Sequence, residues 1–303
     1  MTTKPVQLSV FGVSPEKTET FNVYHDESGT DLAHARFQLH GSLIVPVPKF
    51  QSALQLLQNA RNGYDGQIHF VKLRDNTKSP MSLIAAKWLD LFFNEISNYC
   101  FYKCMIIDMH SPNFNKAKFS TPHLLYNHSA LLSVYGGVTW SLKKYDKVTL
   151  SIFSEAMSRA SNDNFEEYLP EELAKRAGNN KKCPQVIIPL EKVTPVVGDP
   201  RKVEPHLKEH CEFIQLADIL TGAVSQAINA KASQQIKIDL GNLVADWIGD
   251  TRMPPWLQEN RLHRRFSVSC YDGNSKFYDV QLGILSQNQL KLETLLSLVK
   301  KQT

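Results

Sequence analysis

A short alternating run that ends in two adjacent acids constrains this chain most. Phe21, Val23 and His25 alternate with Asn22, Tyr24 and Asp26 before Glu27-Ser28-Gly29, the period-two pattern of a half-buried strand. A strand running into Asp-Glu-Ser-Gly carries a carboxylate to its end, where the backbone holds it rigidly and solvent can reach it. A plain turn after a strand also favours Asp, Ser and Gly. What separates the two readings lies downstream.

Two further acids end or interrupt apolar segments. Phe101 to Ile107 is mostly apolar and stops at Asp108, as suits a strand covered on both sides of a sheet. Phe213, Leu216, Ala217, Leu220, Val224 and Ile228 form one helical stripe, spaced for burial. Gln215, Asp218, Gly222 and Ser225 fall on the adjoining face. An acid flanked by isoleucines and leucines needs a partner, and a hydrogen bond, a basic side chain or a metal ion would each serve. Small residues at Thr221-Gly222-Ala223 let this helix approach a sheet, which would bring Asp218 near the strand ends.

Three strings together carry a resemblance: Asp26-Glu27-Ser28-Gly29, Ile68-His69-Phe70, and Gln215-Leu216-Ala217-Asp218-Ile219-Leu220-Thr221-Gly222-Ala223. Over roughly residues 20 to 230 the chain resembles the family called domain of unknown function 3800. The resemblance implies an RNase H-like α/β fold and a metal-dependent nuclease acting on DNA or RNA. It implies Asp26, Asp108 and Asp218 as the metal-holding and catalytic acids, with Mg²⁺ or Mn²⁺ as the ion. Glu27 and His69 join them as catalytic candidates, and Gln67 and Glu155 as auxiliary groups.

The chain departs from the family pattern in two places. Gln67 stands where a Glu often precedes the Ile-His-Phe string, and Ser154-Glu155 follows Val148 to Phe153 where an Asp is common. Val148, Leu150, Ile152 and Ser154 share one face of that strand, so Glu155 points to the other. A site with fewer charges suits one metal better than two. It also suits a different class of protein, a catalytically weak nucleic-acid-binding or scaffold protein, as a subunit of a defence or mobile-element system.

Carboxylates fit the expected chemistry because phosphodiester cleavage needs an activated water and stabilised charge, which hard divalent ions on oxygen ligands supply. His69 would add a proton-transfer group; a half-buried strand histidine is the plainer account of it. Ser28 lacks evident His and Asp partners, which argues against a serine hydrolase. His206 and His210 have the spacing of a helical metal pair but no second pair to match. Arg264-Arg265 beside Phe266 could contact phosphates and bases, although a charged hairpin edge explains them as well.

The 303 residues carry 42% hydrophobic and 21% charged side chains, ordinary for a globular protein, with a net charge of +4 that mildly favours an anionic partner. The 5 cysteines lack framework spacing, as expected of reduced thiols in the cytoplasm. No apolar run approaches a membrane span.

The pattern of elements suits a mixed sheet flanked by helices. Strands are expected at 37–47, 67–73, 101–107, 148–153, 186–190 and 192–197, and helices at 50–62, 83–96, 123–142, 166–177 and 213–228. Gly136-Gly137 is expected to interrupt the helix over 123–142. Residues 1–235 read as the RNase H-like core, and 236–303 as a C-terminal appendage: a small helix at 243–248, a hairpin around Asp272-Gly273 and a helix over 290–300. The appendage would dock on the core or serve self-association or a partner protein.

Overall fold

Strand β1 (Thr18–Ser28) lies inside the sheet, with neighbours on both sides. It pairs antiparallel with β2 (Phe37–Pro46), which pairs antiparallel with β3 (Phe101–Asp108). On its other side β1 pairs in parallel with β4 (Lys147–Glu155). Beyond β4, β5 (Gln185–Ile187) and β6 (Thr194–Val196) pair with it in parallel at opposite ends. Past β3, β7 (Phe266–Tyr271) adds in parallel and β8 (Phe277–Asp279) in antiparallel. Among the described residues the sheet thus has eight strands in the order β5-β4-β1-β2-β3-β7-β8, with β6 off this path. The computed structural model describes residues 16–28, 36–75, 79–119, 121–229, 232–248, 265–271 and 277–279.

Helices cover both faces, which is why β2 and β3 are buried along their whole length. On one face pack α1 (Phe50–Arg61), α2 (Pro80–Asn94), α5 (Lys208–Asn229) and α6 (Gln235–Ile248). They meet Tyr24, Leu39, Leu43, Tyr102, Ile106 and Phe153. On the other face α3 (Pro122–Ser141) and α4 (Phe165–Gly178) meet Phe21, Val23, Ile44, Phe101, Leu150 and Ile152. Strand alternation therefore assigns each β1 side chain to a helix layer: Tyr24 and Asp26 to the α5 side, Val23, His25 and Glu27 to the α3 side.

Three expected elements differ. Gln67 to Leu73 is not a strand: it is irregular and then turns once as a 3₁₀ helix over Phe70–Lys72. Its backbone donors at Ile68 and Phe70 bond to Gln215 and Asp218 side chains rather than to a neighbouring strand. That satisfies the backbone without a ladder. Helix α3 runs unbroken through Gly136-Gly137. A Cβ at Gly137 would stand 2.9 Å from Ile44 Cδ1, so this glycine serves close packing on the sheet. Helix α6 starts at Gln235, earlier than the expected 243.

The segment read as an appendage contributes to the core. Helix α6 packs on α5, and β7 extends the main sheet through β3. β8 returns antiparallel to β7, with Cys270 opposite Tyr278. The turn at Asp272-Gly273 and the helix expected over 290–300 lie outside the described residues, as do residues 1–15.

Candidate active site

The parallel pairing of β1 and β4 sets His25 opposite Ser154, so Asp26 and Glu155 follow side by side at the carboxyl ends of adjacent strands. Asp26 shares its face with Tyr24, and Glu155 with Phe153; both aromatics belong to the layer containing α5. The two carboxylates therefore open toward the same helix. Asp218 meets them from α5, whose apolar stripe of Phe213, Leu216, Ala217, Leu220 and Val224 is wholly buried.

A segment after α1 completes the surroundings. Arg61 Nε donates to Glu212 Oε2 at 2.7 Å, Nη2 to Gln215 Oε1 at 2.9 Å and Nη1 to the Gly66 carbonyl at 2.8 Å. The Ile68 amide donates to Gln215 Oε1 at 2.5 Å and the Phe70 amide to Asp218 Oδ2 at 2.6 Å. Glu212, Gln215 and Asp218 thus form a polar line at three-residue steps along α5 that docks residues 61–70. Gly222 permits the approach, since a Cβ there would collide with the Phe70 ring. Docking leaves His69 Nδ1 3.5 Å from Asp218 Oδ1 and 3.3 Å from the Val71 amide nitrogen, from which it accepts. Gln67 reaches the same place: a Cβ at Gly198 would meet both Glu155 Oε1 and Gln67 Nε2. Lys72 Nζ donates to Gln67 Oε1 at 2.6 Å.

Asp26 is 3% exposed, and its Oδ2 has no hydrogen-bond partner among the described residues. Burial first, then the charges of Asp218, Glu27 and Glu155, push its pKa well above the ordinary carboxylate range. Burial raises Asp218 to about 7, against the Phe70 amide and the Lys72 charge. Glu155 is also raised, by burial and by Asp218, with His69 and Lys72 opposing. His69 moves the other way: burial, with Lys72 and Lys237, lowers its pKa against the pull of Glu155, so its ring is neutral at pH 7.

Glu27 lies on the opposite face. Tyr126 Oη donates to its Oε2 at 2.9 Å, and His25 Nδ1 is 3.9 Å from the same oxygen. Burial raises Glu27 to about 7, with Glu155 and Asp218 adding to the rise and Tyr126 and Arg159 opposing it. Glu27 is within electrostatic reach of the group but faces α3.

Asp108 is not brought to this group. It stands opposite Phe37 on β2, whereas Asp26 stands opposite Gly41. Four residues at about 3.3 Å each separate those positions along the strands, and Asp108 lies a further strand away. Arg36 Nε and Nη2 donate to its two oxygens at 3.2 Å each, and the His110 amide to Oδ1 at 3.0 Å. The expected third acid is a strand-end ion pair. Its place beside Asp26 and Asp218 is taken by Glu155, which the sequence reading ranks as auxiliary.

The histidine pair at 206 and 210 also separates. His210 Nδ1 lies 2.8 Å from Tyr24 Oη and its ring stacks on Phe153 at 4.1 Å, while His206 is exposed beside Glu204. Arg265 covers the Phe101 ring at 4.5 Å, and Phe266 is buried rather than free to stack on bases. Arg264 lies outside the described residues.

Among the described residues no three His, Cys, Asp or Glu side chains stand close enough to hold a metal ion as they are. The donor set nevertheless fits a hard divalent cation, through the unpartnered oxygen of Asp26 and the mutual repulsion of the three carboxylates. No protein-family model matches the chain, and no curated protein matches its sequence.

Proposed function

We propose that this protein is a metal-dependent nuclease with an RNase H-like core, of the kind its resemblance to domain of unknown function 3800 implies. The observation that carries the reading is Asp26: a buried carboxylate with an unpartnered oxygen, opposed by Asp218 and Glu155. Like charges gathered at the carboxyl ends of two parallel strands are a costly arrangement that a bound cation relieves. The fold reading is supported by an antiparallel β1-β2-β3 unit with β4 and β5 in parallel beyond β1.

Asp26, Asp218 and Glu155 would hold Mg²⁺ or Mn²⁺. When bound, such an ion polarises a phosphoryl oxygen and lowers the pKa of its water. His69, neutral at pH 7, can accept a proton beside Asp218. The net charge of +4 favours a polyanionic substrate. All five cysteines are free thiols, which supports a reducing, cytoplasmic setting. No helix of the described residues is long and apolar enough to cross a membrane.

Gln67 favours a second reading, a catalytically weak nucleic-acid-binding or scaffold protein, because it brings no charge and lies under Lys72. The test is cleavage of single- and double-stranded DNA and RNA with Mn²⁺. Under the nuclease reading the wild type cleaves and Asp26→Asn does not, with the fold intact. Binding without cleavage by the wild type supports the second reading instead.

A further inference from the structure

Lys72 ends the one-turn 3₁₀ helix that borders the acids, and that turn is fixed at several points. The Phe70 amide is held by Asp218, the Lys72 amide donates to the His69 carbonyl at 3.0 Å, and the Val71 carbonyl accepts from Lys237 Nζ at 2.9 Å. The stem of Lys72 is therefore anchored although the residue is exposed. Its ammonium donates to Gln67 Oε1 at the surface, while the amide nitrogen of Gln67 shares the space at Gly198 with Glu155 Oε1. The ammonium thus stands one neutral side chain away from Glu155.

We propose that Lys72 is a built-in counter-ion of the acid group, holding one positive charge so that the site takes a single divalent cation rather than two. The proposal rests on the reading of Asp26, Glu155 and Asp218 as cation ligands. Three carboxylates less one ammonium leave a charge of −2, which one divalent ion neutralises and two would overshoot. Glu27 is not counted among the ligands, since it faces α3 and is held by Tyr126. Lys237 faces the same turn and keeps its charge, but its ammonium bonds the Val71 carbonyl rather than the Gln67 amide beside Glu155. In a nuclease, a fixed ammonium at this edge would also meet a phosphate oxygen that a second ion would otherwise face.

Calorimetric titration of the full chain with Mn²⁺ tests this, using wild type, Lys72→Met, Lys72→Arg and Asp26→Asn. Wild type should bind one ion per chain. Lys72→Met should bind Mn²⁺ roughly tenfold more tightly or better, since a repelling charge near the ion is gone. Lys72→Arg should behave as wild type, and Asp26→Asn should lose binding. Two ions in the wild type, or a smaller change in Lys72→Met, overturns the proposal and leaves the cation site standing. Binding unaffected by Asp26→Asn, or no binding by any of the four, overturns the site reading and the proposal together.

Discussion

The Phe70 amide donates to Asp218 Oδ2 at 2.6 Å, so a helix acid at the candidate site also anchors the loop that delivers His69 and Lys72. Asp218 therefore has a structural bond and an electrostatic burden in one side chain. Burial pushes its pKa up to about 7, well above the ordinary range of an aspartate. A carboxyl raised on folding stabilises the protein below its unfolded pKa, and that contribution is lost as pH rises through the folded value.

Asp218→Asn keeps an oxygen for the Phe70 amide and removes the charge. Its stability relative to wild type should rise by about 4 kcal/mol between about pH 4 and pH 7 and level off above. Buried His25 and His40, both with lowered pKa values, act in the two proteins alike and cancel in the difference. Mn²⁺ should raise the melting temperature of wild type more than that of the variant. Urea unfolding across pH, with and without Mn²⁺, checks this; a variant less stable than wild type at pH 8 would mean that the acid is purely structural.

Arg61 is buried, pairs with Glu212 and holds the chain from Tyr64 to Gly66. Arg61→Met should therefore destabilise by about 3–5 kcal/mol, because Glu212 is left buried without its partner. Amide exchange at Ile68 should accelerate beyond what the global loss explains, since Gln215 then loses the guanidinium that positions it. A loss below about 1 kcal/mol in urea unfolding would contradict this account of the loop.

Most of the frame was legible because it follows from periodicity. The stripe on α5, the alternation in β1 and the apolar β3 each bury a face that the spacing announces. The acids at Asp26 and Asp218 were legible for the same reason, each being an ionisable side chain on an element otherwise committed to the core. Asp108 had the same local signature, but its fate depended on strand register and on Arg36, which no local pattern reveals. The segment from Gln67 to Leu73 reads as a strand by composition, yet its backbone is satisfied by side chains from residues about 148 positions away. Glu155 and Lys72 matter through which face they occupy and which loop they close, and both are tertiary facts.

Gly222 is the hinge of that loop docking. Gly222→Ala should push Phe70 off α5, lengthen the bond to Asp218 and destabilise by about 1–3 kcal/mol. Mn²⁺ affinity should rise, because Lys72 moves away from the acids and the Phe70 amide releases an Asp218 oxygen as Phe70 moves. Thermal unfolding and Mn²⁺ titration of the variant check both effects; unchanged stability would show that the ring rotates away without disturbing the site.

The central claim is that Asp26 and Asp218 share a divalent cation, and anomalous diffraction from crystals grown with Mn²⁺ tests it most directly. The account predicts one strong anomalous peak in contact with carboxylate oxygens of both Asp26 and Asp218, with Glu155 facing it and none at Asp108. A peak absent from this group, or lying at Asp108 and not at Asp26, would contradict it.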